Sequence, residues 1–167
     1  GGIYLMEYLP FHMNNSIIRG NESPTYSAGL LGLNHTANIS LNDCEFTGNI
    51  NTSTGGDGIF DPALYISANP QDTFYEGIYE GFLSNILVAG NVNSSGLNVY
   101  KQFSDYIIDN ITISNHEGVG LQLDGGGTAL LLRNSIIQGN GGEGEEEMIV
   151  IADNTAENNV PVTIEYS

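Results

Sequence analysis

The chain has 167 residues, of which 20 are acidic and three are basic, so its formal net charge is −17. Nucleic acids and anionic membranes are bound by clustered Lys and Arg, so this composition excludes nucleic acid as a partner and also excludes a polybasic membrane anchor. No apolar run approaches the ~20 residues of a membrane-spanning helix, which excludes direct membrane insertion. The lone cysteine, Cys44, excludes an internal disulfide.

One sequence pattern recurs along the chain: apolar-x-apolar-x-Asn-Ser-x-apolar-x-Gly-Asn. Copies occupy residues 11–21, 39–49, 81–91, 106–116 and 130–140, and a sixth copy begins at residue 162. The central positions of the copies, numbered zero, are Asn15, Asp43, Asn85, Asn110, Asn134 and Tyr166. Their spacings are 28, 42, 25, 24 and 32 residues, which indicates a constant structural turn with loops of variable length. Further short apolar strands are predicted between the copies, at residues 31–33, 64–66, 97–99, 119–123 and 148–151.

The parity of the apolar positions predicts how each copy folds. Positions −4 and −2 share one face of a strand, whereas positions +1 and +3 have the opposite parity. All four can face one core only if the chain bends at position zero, where Asn and Asp tolerate a left-handed backbone. Gly at +5 followed by Asn at +6 marks a second bend. Short strands joined by bends, with one turn per ~24 residues, describe a parallel β-helix.

This register makes specific predictions about the core. Residues at the same repeat position should stack on one another in successive coils, about 4.8 Å apart. The +3 position predicts one internal stack, formed by Ile18, Phe46, Val88, Ile113 and Ile137. Cys44 occupies an inward +1 position and is expected to be a small buried core residue. Asparagines at the bends are expected to form a hydrogen-bonded ladder along the helix axis.

Residues 130–140 and 162–167 resemble the repeats of right-handed parallel β-helices in large secreted bacterial proteins of the pectate-lyase-like superfamily. The resemblance implies an all-β, right-handed parallel β-helix of about six coils over residues 1–167, and a secreted, extracellular or cell-surface location. Relatives in that superfamily include polysaccharide lyases, glycosidases, adhesins and surface proteins. Both termini fall within a coil, so we expect the chain to be a segment of a longer protein.

The sequence favours a binding module over an enzyme. A lyase needs a basic group at the substrate, and only Arg19, Lys101 and Arg133 are available. Arg19 and Arg133 occupy outward positions that are typical of a solvated face, and the polygalacturonase motifs are absent from the sequence. No catalytic residue is therefore predicted. The alternative is a polysaccharide lyase or glycoside hydrolase whose site lies partly outside this segment.

One acidic run is the candidate metal site. Its carboxylates, which are hard oxygen ligands of the kind that Ca²⁺ prefers, belong to Glu143, Glu145, Glu146 and Glu147. The run lacks the spacing of an EF-hand loop, so a solvated loop is the alternative. We expect no cofactor, with Ca²⁺ as the one candidate ion, and we expect folding without metal.

The long spacing between Asp43 and Asn85 predicts a loop insertion at about residues 50–82, which is rich in aromatic and acidic residues. Aromatic faces beside carboxylates are typical of sugar-binding sites. The candidate ligand-binding residues are Phe74, Tyr75, Tyr79, Glu76, Glu80 and Asp61. The alternative is that the loop folds back and covers the flank of the helix with its aromatic rings. The loop could also do both, with Tyr65 and Phe82 buried and Phe74, Tyr75 and Tyr79 nearer the surface. The expected partner is a polysaccharide or glycan, or another surface protein, and the oligomeric state is not predicted.

Overall fold

A computed structural model describes residues 2–6, 10–24, 27–33, 38–52, 61–68, 79–101, 104–124, 130–141, 148–151 and 162–165. Every regular element in these ranges is a β-strand, and no helix occurs among them. The strands are β1 (Ile3–Met6), β2 (Phe11–Arg19), β3 (Glu22–Ser23), β4 (Leu30–Leu33), β5 (Ile39–Thr47), β6 (Ile50–Asn51), β7 (Pro62–Ala68), β8 (Tyr79–Ala89), β9 (Ser95–Lys101), β10 (Ser104–Ser114), β11 (Leu121–Asp124), β12 (Leu130–Arg133), β13 (Ile136–Gln138), β14 (Met148–Ile151) and β15 (Val162–Glu165).

The strands form two large parallel sheets that the chain visits alternately. The first sheet has the order β1-β4-β7-β9-β11-β14. The second has the order β15-β12-β10-β8-β5-β2, and β13 also pairs with β10. A short third sheet joins β3 to β6. Because neighbours within a sheet come from successive turns of the chain, the predicted all-β parallel β-helix is confirmed.

The two predicted bends are present and have the predicted chemistry. At position zero, φ lies between 49° and 54° in Asn15, Asp43, Asn85, Asn110 and Asn134. This left-handed backbone lets the strand change direction while apolar side chains on both sides of the bend still face the core. At the second bend the glycines of four copies have φ between 58° and 64°, and Asn115 takes that conformation in the fourth copy.

The predicted +3 stack is confirmed. Consecutive pairs within it are strand partners: Ile18 with Phe46, Phe46 with Val88, Val88 with Ile113, and Ile113 with Ile137. The middle three side chains are fully buried, and Ile137 packs against the core from its edge. Cys44 is also buried, as predicted, and its thiol donates to the carbonyl of Asn42 at 3.2 Å. Burial raises the pKa of that thiol.

A glycine replaces the apolar residue at position −4 in the third copy, and the next coil explains the exchange. Gly81 pairs with Tyr106, whose ring is buried beside it. A Cβ on Gly81 would collide with that ring. The small residue in one coil therefore accommodates the large residue in the next, and burial raises the pKa of the Tyr106 hydroxyl.

The connections from the first sheet to the second differ in length, although the strands of the second sheet pair in a regular register. Two residues join β9 to β10, five join β11 to β12, and ten join β7 to β8. The predicted insertion at 50–82 is thus interrupted by β7, which pairs with β4 and β9. The extra chain length falls on either side of that strand.

Candidate functional site

The outer face of the second sheet carries exposed apolar side chains in one row. Phe82, Ile107 and Leu131 are strand partners at repeat position −3, and they are referred to below as the apolar stripe. Phe82 is 40% exposed and Ile107 is 39% exposed, while Leu131 is half-buried. The expectation that Phe82 is buried was wrong. Gly81 and Leu83 on either side of it are buried, so strand alternation turns the Phe82 side chain to the outside.

Carboxylates flank the apolar stripe on both sides. Glu80 and Asp105 are strand partners two residues before Phe82 and Ile107, and the Glu80 side chain is exposed. On the other side, Asp109 follows Ile107 by two residues on the same face. The backbone of Glu80 is fixed because its N–H donates to Oδ1 of Asn38 at 3.2 Å. An apolar row with carboxylates on both sides therefore lies on the outer face of the sheet, and one of these carboxylates, Asp109, is already bonded to Arg133 and Asn134.

Of the predicted ligand-binding set, the structure places the Glu80 side chain on this face. Tyr79 begins β8 and pairs with Ser104, immediately before Glu80. Phe74, Tyr75 and Glu76 lie outside the described residues. They belong to the connection that leads directly into Tyr79.

Asp61 occupies a different part of the fold. It precedes β7, whereas the connection toward Tyr79 leaves the other end of that strand. Its carboxylate accepts a hydrogen bond from Nδ2 of Asn51 at 3.1 Å. Its backbone carbonyl accepts from Oγ of Ser94 at 2.9 Å and from the N–H of Ser95 at 3.2 Å. Asp61 is therefore tied into the turns between sheets, away from Glu80.

A second outward feature runs along the zero-position bend. Nδ2 of Asn85 donates to Oδ1 of Asp43 at 2.9 Å, and Nδ2 of Asn110 donates to Oδ1 of Asn85 at 2.5 Å. These three residues are the outer ladder. Beside it lies a shallow, open depression of about 350 Å³, whose lining includes Glu45 and Thr112. The bend thus presents amide and carboxylate groups to solvent at each successive coil.

The outer ladder does not continue into the next coil. Nδ2 of Asn134 donates to Oδ1 of Asp109 at 2.9 Å rather than to the side chain of Asn110. Arg133 binds the other carboxylate oxygen of Asp109, also at 2.9 Å. Arg133 is therefore ion-paired rather than simply solvated, and its guanidinium lowers the pKa of the Asp109 carboxyl. Arg19, by contrast, is exposed as expected.

The described residues contain no group of three or more His, Cys, Asp or Glu side chains that could hold a metal ion. The acidic run at Glu143, Glu145, Glu146 and Glu147 lies outside them, so the predicted Ca²⁺ site stays a prediction. Within the same described ranges, no helix is long and apolar enough to cross a membrane.

Sequence reasoning missed Phe82 and Ile107 as exposed site residues, although the repeat contains the signal for them. Position −3 alternates with the inward positions −4 and −2, so any apolar residue there faces outward.

Comparison with protein-family models, with curated proteins and with solved structures finds no match to this chain.

Proposed function

We propose that the chain is a β-helix module of adhesin type, secreted or displayed at a cell surface, that binds an extended neutral polysaccharide. The location rests on the resemblance of the repeats to secreted β-helices. The observation that supports binding is the apolar stripe, in which the exposed Phe82 and Ile107 are strand partners bordered by carboxylates. Sugar rings have an apolar face that packs on such side chains and hydroxyls that donate to carboxylates.

The charge of the chain favours a neutral ligand. With a net charge of −17, the surface repels a polyanion unless cations bridge the two. The dimensions favour a chain-like ligand, because coils stack at about 4.8 Å and present the same repeat position at every step. A protein partner is less well matched, since a specific interface buries ~800 Å² on each side and the stripe is a single row of three side chains.

The test is a glycan array followed by calorimetric titration of the ligands that bind. We expect Phe82→Ala to weaken binding by about tenfold or more, since a stacked aromatic ring contributes roughly 0.5–1.5 kcal/mol beyond its buried area. Ile17→Ala is the matched control, because Ile17 is 59% exposed on the other side of the bend. Equal loss in the control, or unchanged binding in the Phe82 variant, would move the site elsewhere.

The same samples test the alternative functions. Shortened saccharides after long incubation would support the lyase or hydrolase alternative. A Tyr75→Ala, Tyr79→Ala double variant tests the two tyrosines that precede Glu80 in the sequence separately from the stripe. Absence of binding to every glycan, with and without Ca²⁺, would leave a scaffold or a surface-protein partner.

A further inference from the structure

A row of polar side chains runs through the interior of the solenoid at repeat position +6. We call it the inner ladder; its members are Asn21, Asn49, Asn91, His116 and Asn140. The last four are buried, with exposures of 0%, 1%, 4% and 6%. Buried polar groups are costly unless they are hydrogen-bonded, so the bonding of each member matters.

The three buried asparagines of the inner ladder, Asn49, Asn91 and Asn140, satisfy groups in the preceding coil. Oδ1 of Asn91 accepts from both the N–H and Nδ2 of Asn49, each at 2.9 Å. Nδ2 of Asn91 donates to the carbonyl of Phe46 at 3.0 Å. Nδ2 of Asn49 and of Asn140 donate to Ile18 and Ile113 in the same way, each at 3.1 Å.

His116 reproduces only half of this pattern. Its Nε2 lies 3.1 Å from the carbonyl oxygen of Val88, the group that an asparagine Nδ2 would bind. A carbonyl only accepts, so Nε2 holds the proton and Nδ1 has the lone pair. Nδ1 is buried and has no hydrogen-bond partner among the described residues. The ladder is thus interrupted between Asn91 and His116.

Protonation of His116 would place a second N–H donor and a positive charge at this interruption. The ring lies beside backbone groups of Val88 and Asn91, which favour its protonated form, and the backbone of His116 bonds Oδ1 of Asn140 and the N–H of Gly141; none of these groups carries a charge. The carboxyl of the adjacent Glu117 is exposed. Among the described residues no charged group is bonded to the ring, and burial outweighs the two backbone groups and lowers the pKa of the imidazole.

We propose that His116 is an acid-sensitive joint that weakens the stacking between the coils of Asn91 and Asn140 when it is protonated. The direction of the change in stability with pH follows from the linkage between protonation and folding. The folded state holds the neutral ring, so its stabilisation is complete above the pKa of the unfolded chain, near 6.5. Stability is lost as the pH falls below that value toward the lower pKa of the folded state.

Thermal unfolding of the chain at pH 7.5 and at pH 5.5 tests the joint. His116→Asn supplies the ladder residue of the other coils and has no titratable group. We expect the melting temperature of the wild type to fall by about 2–4 °C more than that of the variant between these pH values. His12→Asn is the matched control, because His12 is exposed, and it should follow the wild type. Equal pH dependence in the wild type and His116→Asn would overturn the proposal.

A second measurement decides the question even if the variant fails to fold. NMR titration of the wild-type protein should show that the His116 imidazole stays neutral below the pKa of an unfolded histidine, near 6.5. A His116 resonance that titrates at or above about pH 6.5 without loss of structure would contradict the proposal.

Discussion

Arg133 reaches across one coil to Asp109 and binds its carboxylate at 2.9 Å, and Asn134 donates to the second oxygen of the same group. Asp109 and Arg133 are strand partners on the outer face of the second sheet. One carboxylate thus receives a charged donor from the strand and an amide donor from the bend, which ties β10 to the following turn.

The first prediction is that Asp109 contributes acid-dependent stability. Hydrogen bonding to Arg133 lowers its pKa, so its contribution is present above the pKa of an unfolded aspartate and is lost as the pH falls through the folded value. Chemical unfolding from pH 7 to pH 2 should show Asp109→Asn less stable than the wild type at neutral pH and converging with it in acid. Exposed Glu45→Gln is the control, and a constant difference at all pH values would contradict the prediction.

The second prediction concerns the core stack. Ile113 is fully buried between Val88 and Ile137, so Ile113→Ala leaves a cavity and should lower the free energy of unfolding by about 2–5 kcal/mol. Ile107→Ala in the same strand is the control, because Ile107 is 39% exposed and its loss should matter far less. Denaturant titration of both variants measures the difference, and similar losses would argue against the register.

The third prediction concerns the inner ladder. Asn91→Ala leaves the N–H of Asn49 and the carbonyl of Phe46 without their partners in the interior. Each buried group left unpaired costs about 1–3 kcal/mol, so the variant should be strongly destabilised in denaturant titration. Asn42→Ala is the comparison, because the amide of Asn42 makes an exposed hydrogen bond to Asp43 and should change stability little. Equal effects would remove the special role of the interior position.

The fourth prediction separates backbone strain from side-chain contact at the bend. Asn110 has φ of 53°, which an alanine tolerates at a cost of about 1–2 kcal/mol and a glycine without strain. Both Asn110→Ala and Asn110→Gly lose the hydrogen bond to Asn85. The glycine variant should therefore melt at the higher temperature, and the reverse order would exclude strain as the dominant effect.

The fifth prediction concerns metal. The buried apolar stacks supply the stability of the solenoid, so EDTA should leave its melting temperature unchanged. A fall of many degrees that Ca²⁺ reverses would instead assign a structural site to the acidic run that begins at Glu143. Replacing the four glutamates of that run by glutamine would then abolish the response.

The repeat predicts the fold because each of its positions has one steric role. Asn15, Asp43 and Asn85 bend the chain for the same reason, so one copy informs all the others. Partner choice is harder to predict. Asn134 occupies the same repeat position as Asn110 but bonds Asp109, and only three-dimensional placement shows that this carboxylate is within its reach.

The candidate site was predicted less well, for a different physical reason. Its proposed aromatic residues came from composition, which does not tell an inward from an outward side chain. Phe82 was therefore misplaced even though its parity in the repeat was already fixed. His116 occupies position +6, where the other copies have Asn, but its burial depends on the geometry after the second bend, which the pattern alone does not define.

The unequal connections between the two large sheets make this fold tolerant of length change at one corner. Two residues suffice between Lys101 and Ser104, whereas ten intervene between Ala68 and Tyr79, and the strands on either side still pair in register. Each doubling of a flexible loop costs only about 0.6 kcal/mol of closure entropy. A foreign peptide grafted after Lys101 would accordingly be displayed beside Phe82 and Ile107 while the stacking of the coils is preserved. The corner can therefore acquire new recognition sequences without any change to the repeat that supports them.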